Sequence, residues 1–250
     1  MHKQQLTNEQ AMRYSRQIVL PGFDLDKQEI LLNAKVVIVG VGGLGCAAAQ
    51  YLVAAGVGEM TLIDDDNVEK TNLQRQVLHG EADVGENKCV SAKTSLERLN
   101  SDIKINVIQK RLELNDYLEL IQLFDMVLDC TDNLVSRNVL NQACYVSGIP
   151  LISGAAIRME GQLMSIVPVQ NAACYACVST YFSEQNLSCV ESGVMSPVVG
   201  IIGAMQALEA IKVLCQFGQS NINKLMMFDG MTSTWQIFKV PKRVNCTVCG

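Results

Sequence analysis

An apolar, β-branched run, Lys35-Val-Val-Ile-Val-Gly40, leads directly into a glycine turn, Gly40-Val-Gly42-Gly-Leu-Gly45, and then into small residues as far as Ala55. Few backbone conformations accept that order. The run reads as a strand covered on both faces. The small residues make a helix able to press close to a sheet. The turn matches G-x-G-x-x-G: Gly40 permits the bend, Gly42 lets backbone approach a phosphate, and Gly45 lets helix and strand pack. The helix N-terminus then offers unpaired N–H groups and a positive dipole to an anion. Asp64 ends the next apolar run about 20 residues on, where a carboxylate can hold a ribose hydroxyl.

The same rhythm continues. After the strand ending at Asp64, Glu86–Asn100 reads as a helix, Lys104–Gln109 as a strand, Asn115–Leu123 as a helix, Asp125–Cys130 as a strand, Asn133–Val146 as a helix and Leu151–Ala155 as a strand. Such βαβα alternation predicts an α/β fold with a doubly wound, mostly parallel, Rossmann-like sheet. Beyond Ala155 the alternation stops. Gly161–Val167, Lys224–Phe228 and Ser233–Val240 read as strands, and Pro197–Phe217 as one long helix, so a mixed sheet continues the same domain. Thr7 caps a first predicted helix, Asn8–Leu20, stopped by Pro21-Gly22, and a second runs Asp26–Asn33. The expected organisation is one domain: N-terminal helices in 1–34, a nucleotide-binding half in 35–155, and a mixed-sheet half in 156–250.

Composition excludes some classes of function. With 250 residues and 49 % hydrophobic content the chain can bury a large core. A net charge of −5 without a basic run argues against nucleic acid or an anionic membrane as the main partner. Val36–Gly58 is uncharged and long enough to span a bilayer, but its glycines fit a strand, a turn and a buried helix better. Met1–Gln10 is polar and does not read as a signal peptide. Of ten cysteines, four fall in pairs, Cys174-Tyr-Ala-Cys177 and Cys246-Thr-Val-Cys249. Two such pairs make a closed tetrahedral site suited to structural zinc, pinning the C-terminal segment to the body of the protein. An iron–sulfur cluster fits the same ligands. A reducing, cytoplasmic setting is the natural reading of so many thiols.

Asn72, Arg75 and Lys88 follow Asp64, and Asp129-Cys-Thr-Asp132-Asn133 ends the fourth strand. Residues just past strand C-termini face the ligand crevice of a doubly wound sheet. Arg75 can grip phosphate as a planar fork and Lys88 as a point charge. Asp132 can hold Mg²⁺ through oxygen. Asp129, inside the strand, reads as a structural hydrogen-bonder, and Cys130 as packing. Two cations beside a nucleotide fold point to phosphate cleavage. The competing expectation is an NAD-dependent oxidoreductase, which needs neither Arg75 nor Lys88.

At these residues the chain resembles the MoeB and ThiF family, relatives of the ubiquitin-activating enzymes. Arg13-Tyr-Ser-Arg16-Gln, Gly40 to Gly45, Asn72-Leu-Gln-Arg75-Gln, Asp129-Cys-Thr-Asp132-Asn133, Ser153 to Gln162 and both Cys-x-x-Cys pairs carry the resemblance, over nearly the whole chain. It implies an adenylyltransferase: ATP and the C-terminal glycine carboxylate of a ubiquitin-like sulfur-carrier protein give an acyl-adenylate and pyrophosphate. It implies further that Gly43, Asp64, Asn72, Arg75, Lys88, Asp132 and Asn133 line the ATP site. Arg16 matches an arginine reaching into the neighbouring subunit's site in a homodimer. Cys189 matches a loop cysteine that in some relatives joins the carrier covalently. Ser153 to Gln162 is nearest the MoeB branch, with a MoaD-type carrier. Asp64-Asp-Asp66 and Met231 to Trp235 lean to the ThiF branch, with a ThiS-type carrier. With no rhodanese segment after Cys249, a separate sulfur donor protein is implied.

Overall fold

A computed structural model describes residues 4–180 and 192–250. Its eight strands form one sheet in the order β3-β2-β1-β4-β5-β6-β7-β8. β1 (Lys35–Val39), β2 (Glu59–Ile63), β3 (Lys104–Ile108), β4 (Met126–Asp129) and β5 (Leu151–Ile157) run parallel. β6 (Glu160–Ile166), β7 (Lys224–Asp229) and β8 (Thr234–Lys239) continue the sheet antiparallel. The expected parallel sheet with a mixed extension is therefore present. β1 is flanked by β2 on one side and β4 on the other, so the chain order reverses there and opens a crevice at the strand C-termini.

Strand side chains alternate between two apolar layers, as the pleat requires. Val36, Ile38, Met60, Leu62, Met126 and Leu128 join one core with α3 (Asp24–Asn33), α4 (Gly43–Ala55), α5 (Lys88–Leu99) and the long helix Ser196–Cys215, here α9. Val37, Val39 and Val127 face the other way. They join α6 (Leu114–Leu120), α7 (Leu134–Ser147) and α8 (Tyr175–Ser179). Burying both faces is what made these strands read as unbroken apolar runs. α9 is apolar enough to cross a membrane by composition, yet it packs on α4, β5 and β6 as a core helix.

One expected element is corrected. The helix Asn8–Leu20 is broken into α1 (Asn8–Arg13) and α2 (Ser15–Ile18). Tyr14 turns inward between them, buried against Gly56, and its hydroxyl accepts a 2.8 Å hydrogen bond from Asn100 Nδ2. Burying that ring while satisfying its oxygen outweighs continuing the helix. The cap of α1 is as read: Thr7 Oγ1 accepts from Gln10 N–H, and the Gln10 side chain accepts from Thr7 N–H.

Candidate active site

Gly40 closes β1 with φ +88°, and a Cβ there would stand 2.7 Å from the Cys130 carbonyl oxygen. The glycine turn is thus seated directly on the end of β4. Val41 is held on both sides. Its N–H donates to Asp64 Oδ2 at 2.7 Å, and its carbonyl lies 3.2 Å from His79 Nε2. A carbonyl only accepts, so Nε2 carries the hydrogen and Nδ1 accepts from Ser91 Oγ at 2.8 Å. Gly42 is open: a Cβ there would meet only Gln76 Nε2, at 3.6 Å. The first helical bond of α4 runs from Cys46 N–H to the Gly42 carbonyl, which leaves the N–H groups of Gly43, Leu44 and Gly45 pointing out of its N-terminus. The glycine turn and helix N-terminus have the form that an anion cradle requires.

Asp64 stands immediately beyond β2. Besides Val41, its Oδ1 accepts Asp66 N–H at 2.9 Å. Burial raises its carboxyl above the usual range, against the charge of Lys88 and the two backbone donors. Lys88 opens α5 behind the N-cap Asn87, two residues later than the predicted start, and its Nζ bonds Asp66 Oδ2 at 2.8 Å. A buried ammonium thus hangs on an exposed carboxylate at the crevice edge.

Asn72 and Arg75 lie on the turn that follows. A Cβ on Gly43 would sit 3.3 Å from the Arg75 carbonyl oxygen, so this segment lies against the head of α4. Arg75 Nη1 bonds only the Thr71 carbonyl, at 3.2 Å, and Asn72 Oδ1 accepts Glu69 N–H at 3.3 Å. Sequence reading missed Gln76. It is buried beside Gly42, and its Oε1 has no hydrogen-bond partner among the described residues.

At the end of β4 the two aspartates divide as expected. Asp129 is fully buried and satisfied: Oδ1 accepts from Thr131 N–H and hydroxyl at 3.1 and 2.7 Å, Oδ2 from Ser153 Oγ at 2.8 Å and Arg137 Nε at 3.1 Å. Cys130 is buried, as packing requires. Asp132 is exposed, and among the described residues its carboxylate meets only Asn133 Nδ2, at 3.5 Å. Asn133 also caps α7, its Oδ1 accepting Ser136 N–H at 2.9 Å. The glycine turn, Asp64, Asn72, Arg75, Lys88, Asp132 and Asn133 all lie just beyond the C-terminal ends of β1, β2 and β4 or on the segments that follow them. Arg16 does not join them. It is exposed on α2, next to Gln17, whose Nε2 bonds the Ala55 carbonyl at the opposite end of α4. Cys189 lies outside the described residues.

The four paired cysteines converge. Their sulfurs all lie within 4.8 Å of one another, with Cys174···Cys246 at 3.6 Å and Cys177···Cys249 at 3.4 Å. Four thiolates around a tetrahedral metal at ~2.3 Å stand about 3.8 Å apart, so the set fits such an ion. The surroundings divide: burial holds the Cys174 and Cys249 thiols up, while donors reach Cys177 and Cys246. Arg243 N–H donates to Cys177 Sγ at 3.4 Å. At Cys246 burial opposes ionisation, but backbone N–H donors from Cys249 and Val248 outweigh it and bring the thiol down to about 6. At Cys174 burial keeps the thiol high. By contrast Cys46 and Cys89, near the glycine turn, are pushed by burial up to about 12 and are inert packing groups.

Comparison with known proteins agrees with this geometry. A molybdopterin-synthase adenylyltransferase from Salmonella typhimurium is 49 % identical over 246 residues, covering 98 % of this chain and 99 % of that protein. Among solved structures, Escherichia coli MccB with MccA-N7isoASN superposes with TM-score 0.86 at 27 % identity, over 98 % of this chain and 76 % of that one. The same enzyme with ATP gives 0.78 at 29 % identity, over 90 % and 69 %. The model of the ThiF family matches residues 14–248, and the chain belongs to that family.

Proposed function

We propose that this chain is an ATP-dependent adenylyltransferase that activates the C-terminal glycine carboxylate of a MoaD-type sulfur carrier, for molybdopterin synthesis. The observation that carries this reading is an open glycine turn flanked by Arg75, Lys88 and Asp132, in a chain resembling a molybdopterin-synthase adenylyltransferase from end to end. The carrier's carboxylate attacks the α-phosphorus of ATP. The bond from that phosphorus to the bridging oxygen breaks, and pyrophosphate leaves with the electron pair. No protein nucleophile or general base is needed, in keeping with a single buried, fully engaged imidazole among the described residues. The protein's contribution is positioning and charge neutralisation. The N-terminus of α4 and Arg75 would hold the phosphates, with Lys88 leaving Asp66 to join them, while Asp64 receives the ribose. The exposed, nearly unpartnered Asp132 carboxylate suits Mg²⁺, which would offset phosphate charge when bound. Zinc is the ion proposed for the four thiols, with a structural role. A homodimer in which Arg16 serves the neighbouring site, a separate sulfur donor protein, and a cytoplasmic setting complete the proposal.

ATP–pyrophosphate exchange tests it. Exchange should require a MoaD-type carrier and be weak with a ThiS-type carrier; the reverse would reassign the substrate. Arg75→Ala and Asp132→Ala should each slow exchange roughly 100-fold, since losing one charge-stabilising group costs about 3 kcal/mol in the transition state. Calorimetry should show Mg·ATP binding and little NAD binding. Tight NAD binding without exchange would overturn the reading in favour of an oxidoreductase.

A further inference from the structure

Helix α7 touches both the strand-end aspartates and the cysteine site, through two side chains one helical turn apart. Arg137 is buried, and its guanidinium makes four hydrogen bonds. Nε bonds Asp129 Oδ2 at 3.1 Å; Nη2 bonds the carbonyls of Thr131 at 2.8 Å and Gly154 at 3.2 Å; Nη1 reaches Tyr175 Oη at 3.5 Å. The guanidinium carbon also lies 5.5 Å from the centre of the Tyr175 ring. Tyr175 stands between two of the converging thiols, Cys174 and Cys177. Asn141 holds the same knuckle, its Oδ1 accepting Tyr175 N–H at 2.8 Å. Asn141 is buried, and its Nδ2 meets no hydrogen-bond acceptor of ordinary geometry among the described residues. That amide sits at the Cys174 knuckle, since its own oxygen holds the residue directly after Cys174. A metal-bound thiolate there would take the orphaned N–H, as ligands in metal sites take bonds from the groups around them.

We propose that Arg137, Asn141 and Tyr175 couple the four-thiol metal site to the Asp129–Asp132 turn, so that zinc and Mg·ATP strengthen each other's binding, with Arg137 acting as a positioning residue for Asp132. The coupling to nucleotide rests on the adenylation reading above; the mechanical link does not. The physical basis is short. Thr131 immediately precedes Asp132, and its carbonyl is fixed by the same guanidinium that stacks on Tyr175. Zinc orders the Cys174–Cys177 knuckle, the knuckle orders Tyr175 and Arg137, and Arg137 orders the turn. Reciprocity follows from linkage: whatever factor zinc gives to Mg·ATP affinity, Mg·ATP gives to zinc.

Two measurements on the full chain test this. The first needs no nucleotide. Amide hydrogen exchange at Thr131, Asp132 and Asn133 should quicken when zinc is removed by chelator. It should also quicken in zinc-loaded Tyr175→Leu, while β1 and β2 keep their protection. Unchanged exchange at the turn in both would overturn the link. The second is a ligand cycle by calorimetry: Mg·ATP affinity with and without zinc, in the wild type and in Arg137→Lys. Zinc should tighten Mg·ATP within the ~5- to 150-fold range of ordinary site coupling. Arg137→Lys keeps a charge beside Asp129 but loses the fork, and should bring the ratio close to one. A residue with only a structural role would lower Tm and leave that ratio unchanged, which would refute the positioning role. Faster exchange at the turn in a protein that binds no Mg·ATP would uphold the link and sink the adenylation reading instead. Normal Mg·ATP binding that ignores zinc would do the opposite.

Discussion

Val41 has an inert side chain, yet both its backbone polar groups are held by the side chains of other residues, Asp64 on one side and His79 on the other. A turn held on both sides in this way is braced by the fold itself. His79 does its part as a neutral ring. Burial lowers its pKa, and the nearby Lys88 charge adds to that, against the hydrogen bond to Val41. The folded protein therefore releases this proton more readily than the unfolded chain, whose histidine titrates near 6.5. His79 thus favours folding fully above about pH 6.5, and its contribution fades as pH falls from there towards the folded-state pKa. Melting curves at pH 7.5 and 5.5 should show a larger loss of Tm in the wild type than in His79→Gln, which keeps a neutral donor. Equal losses would mean the ring does not stay neutral. Nothing in the sequence around His79 announces this role. It depends on Val41 and Ser91, which only the fold brings to opposite sides of the ring.

Among elements, the contact between α4 and α9 governs where the glycine turn can sit. At Gly203 a Cβ would run into the Leu44 carbonyl and stand 2.8 Å from Ala47 Cβ, so the helices touch backbone to backbone. α4 begins at the turn, and prying it from α9 moves its N-terminus. Gly203→Val should cost about 1–3 kcal/mol of stability, as overpacking does, and also weaken Mg·ATP binding. Leu128→Ala, on the buried β4, should cost about 2–5 kcal/mol with little change in that affinity. Calorimetry on the folded fraction separates the two, and equal effects on binding would show that α9 does not hold the turn. The strands were legible because burial on both faces leaves a plain mark: Lys35–Val39 and Glu59–Ile63 are apolar runs stopped by Gly40 and Asp64. The break at Tyr14 was not legible, since its hydroxyl partner Asn100 lies 86 residues away. Arg137 was illegible for the same reason. An arginine on a helix reads as a surface charge until Asp129, Gly154 and Tyr175, from three separate segments, close around it.

For the molecule as a whole, Arg16 and the crevice lie apart. Arg16 adjoins the far end of α4, whose 13 residues span roughly 20 Å. If a second subunit supplies the missing arginine, mixing inactive Arg16→Ala with inactive Asp132→Ala should restore part of the exchange activity, because some mixed sites contain both residues. No recovery after subunit exchange is verified by mass spectrometry would rule out a shared site. The sheet has its own division, a parallel half that carries the residues proposed for the nucleotide and an antiparallel half that ends in the cysteine site. The bridging sulfurs Cys174 and Cys246 are 72 residues apart in the chain. A ribosome adding about 5–20 residues per second takes roughly 4–14 s to cover that distance. Throughout that interval the parallel strands are already made, while Cys174 and Cys177 emerge with half a coordination sphere. If the four thiols take an ion, as proposed, the nascent chain would pass through a stage in which its parallel half can collapse but the ion cannot yet be held, and capture would be a late step in the birth of each molecule.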